Sequence, residues 1–212
     1  MQPISQEYVT TAKGVVISVK QFGQLDYSST YQAMKAFANE RDDSVTDEIW
    51  LLQHPPVYTQ GTACDLATLL PSDIPVVKTD RGGQITYHGP GQWVMYPLLD
   101  LKRHSMGVKS LVNALEQCVI NLLDDHKVVA IRRDDAPGVY VNGEKIAALG
   151  LRIRRGNTYH GLSVNVDMDL SPFNNIDPCG YQGMQVTQIS NFVDIDEAQV
   201  GLSLMQKFIE QL

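Results

Sequence analysis

The chain has 212 residues, of which 43% are hydrophobic and 19% are charged, a composition typical of globular proteins in water. Seventeen basic against 24 acidic side chains give a formal net charge of −7, which argues against a nucleic-acid-binding protein. No stretch approaches the roughly 18 consecutive apolar residues of a membrane span, and the first residues lack the pattern of a secretory signal. We therefore predict a cytoplasmic protein that binds neither nucleic acid nor membrane.

The three cysteines, Cys64, Cys118 and Cys179, are widely spaced. An odd number at such spacing argues against a disulfide framework and is typical of a reducing cytoplasm. The sequence contains no CxxC or HxxxH pair, so we predict no metal site.

The first quarter of the chain carries signals for two strands and a helix. The β-branched run VVISV at 15–19 predicts the first strand. Asp26 is predicted to cap a helix that runs through about Asn39. EIWLLQ predicts the second strand, which two prolines terminate. A short helical turn is expected within CDLATLLPSD.

The second half of the chain has the clearer pattern. Apolar residues recur at intervals of three and four from 108 to 123, which predicts a helix that ends near Asp125. The pair Asn142-Gly143 between two apolar runs predicts a β-hairpin. An alternating segment at 158–170 predicts a third strand of the same antiparallel arrangement.

A closing amphipathic helix is predicted from about 197 to 212. No linker and no internal repeat separate these elements. The sequence therefore predicts one α+β domain that spans residues 1–212.

The stretch RGGQITYHGPGQ at 81–92 contains four glycines and lies between the apolar runs IPVV and WVMYPLLDL. Glycine allows positive φ and lets a ligand come close to the backbone. We interpret the stretch as a glycine-lined binding loop between two buried strands; two consecutive tight turns are the alternative.

Cys179 is the best candidate nucleophile, because it lies between a proline and a glycine and away from any apolar period. A free thiol has a pKa of about 8.5, and a neighbouring cation would lower that pKa and increase the thiolate fraction. Lys145 is a candidate for this cation, since it begins an otherwise apolar strand; a solvated strand edge is the alternative. His88 and His160, each followed by glycine, are rival candidates for a general base.

Four segments together resemble the lipoyl(octanoyl) transferases, also called octanoyl-[acyl carrier protein]-protein N-octanoyltransferases. They are RGGQITYHGPGQ, APGVYVNGEKIAALGLRIRRG, YHGLSVNVDMDL and DPCGYQGM. The resemblance implies the catalytic fold of lipoate and biotin protein ligases, a mixed, mostly antiparallel sheet flanked by helices. It also implies a catalytic cysteine–lysine dyad, which matches Cys179 and Lys145. The substrate-binding residues that it implies are Arg81, Gly82, Gly83, Gln84, Ile85, Thr86, Tyr87, His88, Ala148, Leu149, Gly150, Gly161, Leu162 and Ser163.

The resemblance further implies transfer of an octanoyl group to a lysine through a cysteine thioester. The donor would be the phosphopantetheine arm of acyl carrier protein, with no cofactor bound to the chain itself. The acceptors would be the lipoyl domains of 2-oxoacid dehydrogenase E2 subunits and the glycine cleavage H protein. Two other functions stay open, namely an ATP-dependent ligase of the same superfamily and a non-catalytic module that binds acyl-carrier or lipoyl domains.

Overall fold

The computed structural model of the chain describes residues 1–64, 72–176 and 185–212. Most of the turn predicted in CDLATLLPSD, and the predicted nucleophile Cys179, lie outside these residues. The three helices are α1 (Tyr27–Glu40), α2 (Val108–Asp125) and α3 (Glu197–Ile209). The strands are β1 (Ser5–Thr10), β2 (Val16–Gln24), β3 (Asp47–Gln53), β4 (Val57–Gln60), β5 (Val76–Lys78), β6 (Ile85–His88), β7 (Gln92–Leu98), β8 (Ile131–Arg132), β9 (Val139–Val141), β10 (Glu144–Arg154) and β11 (Asn157–Asn165).

The strands form two sheets. The larger has the order β1-β2-β3-β7-β11-β10-β9-β8, and of its pairs in the described chain only β2 and β3 run parallel. The smaller has the order β5-β4-β6, with one parallel and one antiparallel pair. The prediction of an α+β fold with a mixed, mostly antiparallel sheet is confirmed.

The large sheet separates two hydrophobic layers, because successive side chains of a strand point to opposite faces. Ile49 and Leu51 belong to the layer that includes residues of α2 and α3. Trp50 and Leu52 belong to the layer that includes residues of α1. None of the helices within the described part of the chain combines the length and apolar character that a membrane crossing requires.

Two predicted local signals are confirmed in detail. The Asp26 side chain accepts a hydrogen bond from the Ser29 N–H at 2.8 Å and caps the first turn of α1. Asn142 and Gly143 have φ of 52° and 87° in the turn between β9 and β10, which is the conformation that an Asn-Gly hairpin requires. Lys145 therefore lies where the sequence predicts it, at the start of a strand.

The structure also corrects several expectations. The ITYH portion of the glycine stretch is strand β6 rather than loop. The strand predicted at 158–170 ends at Asn165. Strands β1 and β8 were not predicted, because β1 is almost entirely exposed and shows no apolar alternation, and β8 has two residues.

A buried carboxylate holds one end of the large sheet. Asp47, at the start of β3, is fully buried and accepts hydrogen bonds from Arg41, from Arg103 Nη1 at 3.0 Å and from His104 Nε2 at 2.7 Å. Burial by itself raises the pKa of Asp47, but the hydrogen bonds from His104 and Arg41 outweigh it, so the pKa lies below its ordinary value. The end of α1 and the turn after β7 are thereby tied to β3.

We expect Asp47→Asn to lower the free energy of unfolding at pH 7 by about 3–5 kcal/mol, because it leaves the buried Arg41 guanidinium without its counter-ion. A carboxylate whose pKa is lowered on folding stabilises the folded state at pH values above its unfolded pKa of about 3.9. This stabilisation is lost as the pH falls through the pKa of the folded state. The difference in free energy of unfolding between the wild type and Asp47→Asn should therefore become smaller at acid pH. Denaturant unfolding at several pH values measures it, with the exposed Asp43→Asn as the control. A variant as stable as the wild type at pH 7 would contradict the assignment.

Candidate active site

A cleft of about 790 Å³, its open mouth included, lies between β6, β10 and β11. Cross-strand register explains why two predicted segments meet here. Ala148 pairs with Ser163, Leu149 with Leu162 and Gly150 with Gly161, so that the two segments are adjacent in the sheet.

Of the predicted site residues in the described chain, all except Gly82 and Tyr87 line this cleft. The Tyr87 ring packs instead against Tyr58 and Phe173, with ring centroids 5.6 and 5.5 Å apart. Gly82 donates its N–H to the Leu151 carbonyl at 3.0 Å and so joins the glycine stretch to β10.

Sequence reasoning missed several residues of the cleft wall. They are Tyr27, Gln92, Val94, Tyr96, Pro137, Ala147, Asn165, Phe173 and Val186. Alternation along β7 was the available signal for three of them, since residues two apart in a strand share a face. That signal is weak in β7, because every residue of the strand is buried.

Arg81 joins the glycine stretch to the smaller sheet beside the cleft. Its guanidinium donates from Nη2 to the Thr59 carbonyl at 2.5 Å and to Thr59 Oγ1 at 2.9 Å, and from Nη1 to the Gly82 carbonyl at 3.0 Å. The side chain is buried, so these acceptors replace water around the charge. Arg81 therefore shapes the glycine stretch as well as lining the cleft.

His160 occupies an unusual position within β11. Its φ is +59°, a value that non-glycine residues rarely adopt inside a strand. Nε2 lies 3.1 Å from Asp80 Oδ1, and the ring stacks on Tyr31 with centroids 5.1 Å apart. Burial lowers the pKa of His160 despite the hydrogen bond to Asp80. Its Nδ1 is buried and has no hydrogen-bond partner in the described part of the chain.

His88 and His54 are uncharged at neutral pH. Burial lowers the pKa of His88 to about 3 and that of His54 to about 4. His54 contacts the Leu25 carbonyl at 2.7 Å and the Tyr96 hydroxyl at 2.8 Å. The ring centroid of Tyr27 lies 5.7 Å from that of His88 and 4.9 Å from that of His54.

Lys145 is buried at one end of the cleft rather than exposed at a strand edge. Its Nζ donates to the Pro137 carbonyl at 3.2 Å and lies 5.3 Å from the centroid of the Tyr140 ring. Gly138 lies beside the lysine stem, and a Cβ there would come within 2.7 Å of the Ala147 carbonyl oxygen and 3.1 Å of Lys145 Cε. The alternative of a solvated lysine is wrong.

The described residues on either side of the predicted nucleophile both border the cleft. Before it, Ile176 donates its N–H to the carbonyl of Phe173, a cleft residue. After it, the chain from Gln185 to Thr187 pairs with Lys145, whose N–H donates to the Gln185 carbonyl and whose carbonyl accepts from the Thr187 N–H, each at 2.9 Å. Cys179 itself lies outside the described residues, and its role stays a prediction.

The sheet pair and its cleft are the catalytic fold of lipoate and biotin protein ligases. The bi-partite lipoate protein ligase of Thermoplasma acidophilum superposes with a TM-score of 0.72 at 15% identity, covering 91% of this chain and 82% of that one. The biotin protein ligase of Aquifex aeolicus, in complex with biotin and ATP, gives 0.59 at 15% identity, over 91% and 69%. At such low identity these likenesses describe the fold, and they confirm the fold prediction.

Comparison of the amino-acid sequence with known families identifies the family within this fold. The lipoyl protein ligase A/B catalytic domain matches residues 26–209, so the chain belongs to that family. The octanoyltransferase of Nitrosomonas eutropha is 56% identical over 198 residues, covering 92% of this chain and 88% of that protein. The predicted resemblance to octanoyltransferases, and with it the acyltransferase class, is confirmed.

We expect Arg81→Lys to lower the free energy of unfolding by about 1.5–3 kcal/mol, because a lysine ammonium cannot contact the Thr59 and Gly82 acceptors together. Denaturant unfolding measures the loss. The exposed Arg152→Lys, on β10, is the matched control and should change stability by less than about 0.5 kcal/mol. Equal stability of the two variants would show that the contacts of Arg81 with Thr59 and Gly82 do not stabilise the fold.

Proposed function

We propose that this chain transfers an octanoyl group from acyl carrier protein to a lysine of lipoyl domains, through a thioester on Cys179. The observation that carries the proposal is the buried Lys145 at the end of an apolar cleft, next to the segment that follows Cys179. The 56% identical relative is named an octanoyltransferase, which favours the same acyl group here.

The cleft suits a medium-length alkyl chain. Apolar side chains from β6, β7, β10 and β11 and from the 3₁₀ turn at Ser171–Asn175 line it, among them Ile85, Val94, Leu149, Leu162 and Phe173. Each buried methylene contributes about 0.8 kcal/mol to binding, so the tail of an octanoyl group would contribute several kcal/mol. Gly150 and Gly161 also line the cleft, and both allow close packing behind it. A Cβ would come within 2.9 Å of Arg81 Cδ at Gly150 and would overlap the Met95 carbonyl oxygen at Gly161.

Lys145 supplies the charge that the chemistry needs. An ammonium close to Cys179 would stabilise its thiolate and lower the thiol pKa. The thiolate then attacks the thioester carbonyl of the donor, and the phosphopantetheine thiolate leaves and takes a proton from the Lys145 ammonium. Lys145 is then neutral and can accept a proton in the second half-reaction. One thioester replaces another, so the acyl group stays activated without ATP.

The second half-reaction forms an amide. The neutral ε-amine of the acceptor lysine attacks the Cys179 thioester, the thiolate leaves, and the excess proton of the amine passes to a base. Lys145 is the proposed proton acceptor, with His160 as the alternative because its Nδ1 lone pair is uncommitted among the described residues. His88 is less suitable, since both its ring nitrogens already face protein partners.

The partners follow from this chemistry. The donor is octanoyl-acyl carrier protein, and the acceptors are lipoyl domains such as those of 2-oxoacid dehydrogenase E2 subunits and the glycine cleavage H protein. The structure of the Thermoplasma acidophilum ligase is described together with its E2 lipoyl domain, which supports an acceptor of this kind. No resident cofactor is needed by the proposed reaction.

We expect wild-type protein, mixed with octanoyl-acyl carrier protein in the absence of ATP, to gain one octanoyl mass that hydroxylamine removes. Cys179→Ser should lose this adduct and the transfer activity, because a serine hydroxyl is not ionised at neutral pH. Cys64→Ser is the matched control and should keep both. Intact mass spectrometry makes the measurement. An adduct retained in Cys179→Ser contradicts the nucleophile, an adduct that requires ATP indicates a ligase, and binding without an adduct indicates a non-catalytic module.

We expect Lys145→Met to raise the pH midpoint of Cys179 alkylation by iodoacetamide toward the free-thiol value of about 8.5. The measurement uses the Cys64→Ser background, in which Cys118 is the other remaining thiol. Cys118 is fully buried, and this burial raises the pKa of its thiol, so it should not interfere. The exposed Lys102→Met serves as the control. A midpoint that Lys145→Met leaves unchanged would transfer the role to His160 or His88.

A further inference from the structure

A chain of buried hydrogen bonds connects the glycine stretch to Lys145. It starts at Arg81, whose Nη2 and Nε contact Thr59 Oγ1 at 2.9 and 3.2 Å. Thr59 Oγ1 lies 3.4 Å from His88 Nε2, and His88 Nδ1 lies 2.6 Å from Gln92 Oε1. The chain continues from Gln92 Nε2 to Asn165 Oδ1 at 2.9 Å.

From Asn165 the chain reaches the backbone on both sides of the cleft. Asn165 Nδ2 lies 3.0 Å from the Thr187 carbonyl, and the Thr187 N–H contacts the Lys145 carbonyl at 2.9 Å. The side chains of Gln92 and Asn165 are buried, at 1% and 5% exposure. A buried polar chain of this kind is stable only when each member has its partner.

Two backbone carbonyls fix the direction of the chain. The Thr187 carbonyl can only accept, so the Asn165 atom that faces it is the NH₂ group, and the Asn165 oxygen faces Gln92. The Tyr87 carbonyl at 3.2 Å likewise requires the NH₂ group of Gln92, so the Gln92 oxygen faces His88.

The tautomer of His88 follows from this direction. An amide oxygen opposite Nδ1 requires the ring proton on Nδ1, and the neutral ring then has its lone pair on Nε2. Thr59 can donate its hydroxyl proton to that lone pair, because Arg81 only donates to Thr59 Oγ1. Every link from Arg81 to Lys145 therefore runs from donor to acceptor in one direction.

We propose that Gln92 and Asn165 are positioning residues, which fix the tautomer of His88 and hold the segment from Gln185 to Thr187 against Lys145. This segment directly follows in sequence the stretch that contains Cys179, so its pairing fixes the position of the described residues nearest to Cys179 on that side. The catalytic importance of the segment from Gln185 to Thr187 rests on the function proposed above. The hydrogen bonds themselves do not depend on that function and can be tested separately.

The first test is the tautomer of His88 in the wild-type protein. A two-bond ¹H–¹⁵N spectrum of histidine-labelled protein should show His88 neutral, with the proton on Nδ1, between pH 5 and 9. Burial lowers the pKa of this ring to about 3, so its charge should not change in that range. A proton on Nε2 would overturn the proposal without any variant.

The second test reverses one link. In Asn165→Asp a carboxylate oxygen faces the Thr187 carbonyl, which places two acceptors against each other and should release the segment. We expect hydrogen exchange at the Thr187 amide to become at least tenfold faster. A misplacement of about 1 Å at a reacting group costs on the order of a hundredfold in rate, so kcat should fall by about tenfold to a hundredfold, with KM for octanoyl-acyl carrier protein changing less than threefold.

The control is Asn121→Asp, the same amide-to-carboxylate change on α2, where Asn121 accepts from Gln117. It should leave exchange at Thr187 and kcat unaltered. Wild-type exchange and wild-type kcat in Asn165→Asp would overturn the proposal. If Asn165→Asp does not fold, Gln92→Glu takes its place, and it should raise the pKa of His88 because a carboxylate then faces Nδ1.

If the proposed function is wrong, a different experimental result is expected. In that case the wild-type protein itself would show no octanoyl transfer. The His88 tautomer and the exchange of the Thr187 amide would still decide whether Gln92 and Asn165 hold the segment.

Discussion

The cleft depends on one buried cation. The Arg81 guanidinium bonds to Thr59 on β4 and to the carbonyl of its neighbour Gly82, and the Gly82 N–H bonds to Leu151 on β10. A guanidinium presents several N–H groups in a fixed plane, so one side chain can bond to Thr59 and to the Gly82 carbonyl at the same time. Because the charge is buried, the loss of any acceptor would leave it partly unsolvated. The Arg81 side chain therefore holds the glycine stretch to β4, and the Gly82 N–H holds the same stretch to β10.

Much of the fold could be predicted from the sequence, because α2 and the β9–β10 hairpin are specified by local signals. A sustained three-and-four period defines α2, and Asn142-Gly143 can adopt the two positive φ angles that the turn needs. Strand β6 was missed for the opposite reason. Its four residues lie among glycines, and they pair with β4, whose sequence carries no signal for that partner. Pairing between distant segments is decided by tertiary packing, which local propensity does not contain.

The residues of the candidate site also include some that the sequence could predict and some that it could not. The resemblance identified positions on β6, β10 and β11 that the register then brought together at Gly150 and Gly161. It did not identify Gln92 or Asn165, since a single amide in a buried strand looks no different from any other polar residue. Their partners include the backbone carbonyls of Tyr87 and Thr187, and every residue type has a backbone carbonyl, so the sequence does not mark these partners. Hydrogen bonds to the backbone are therefore the part of a site that sequence reasoning finds last.

The cleft has few charges of its own, and this bears on how Lys145 can act. His54 and His88 are kept neutral by burial, and Asp80 is already engaged by His160 and Tyr159. Charges interact more strongly where the effective dielectric constant is low. A lysine ammonium at the end of an apolar cleft therefore acts on a nearby thiolate with little competition from neighbouring ions. Arg81 is a second cation in the described cleft wall. Because it disfavours excess positive charge, it would favour removal of the proton when an amine attacks.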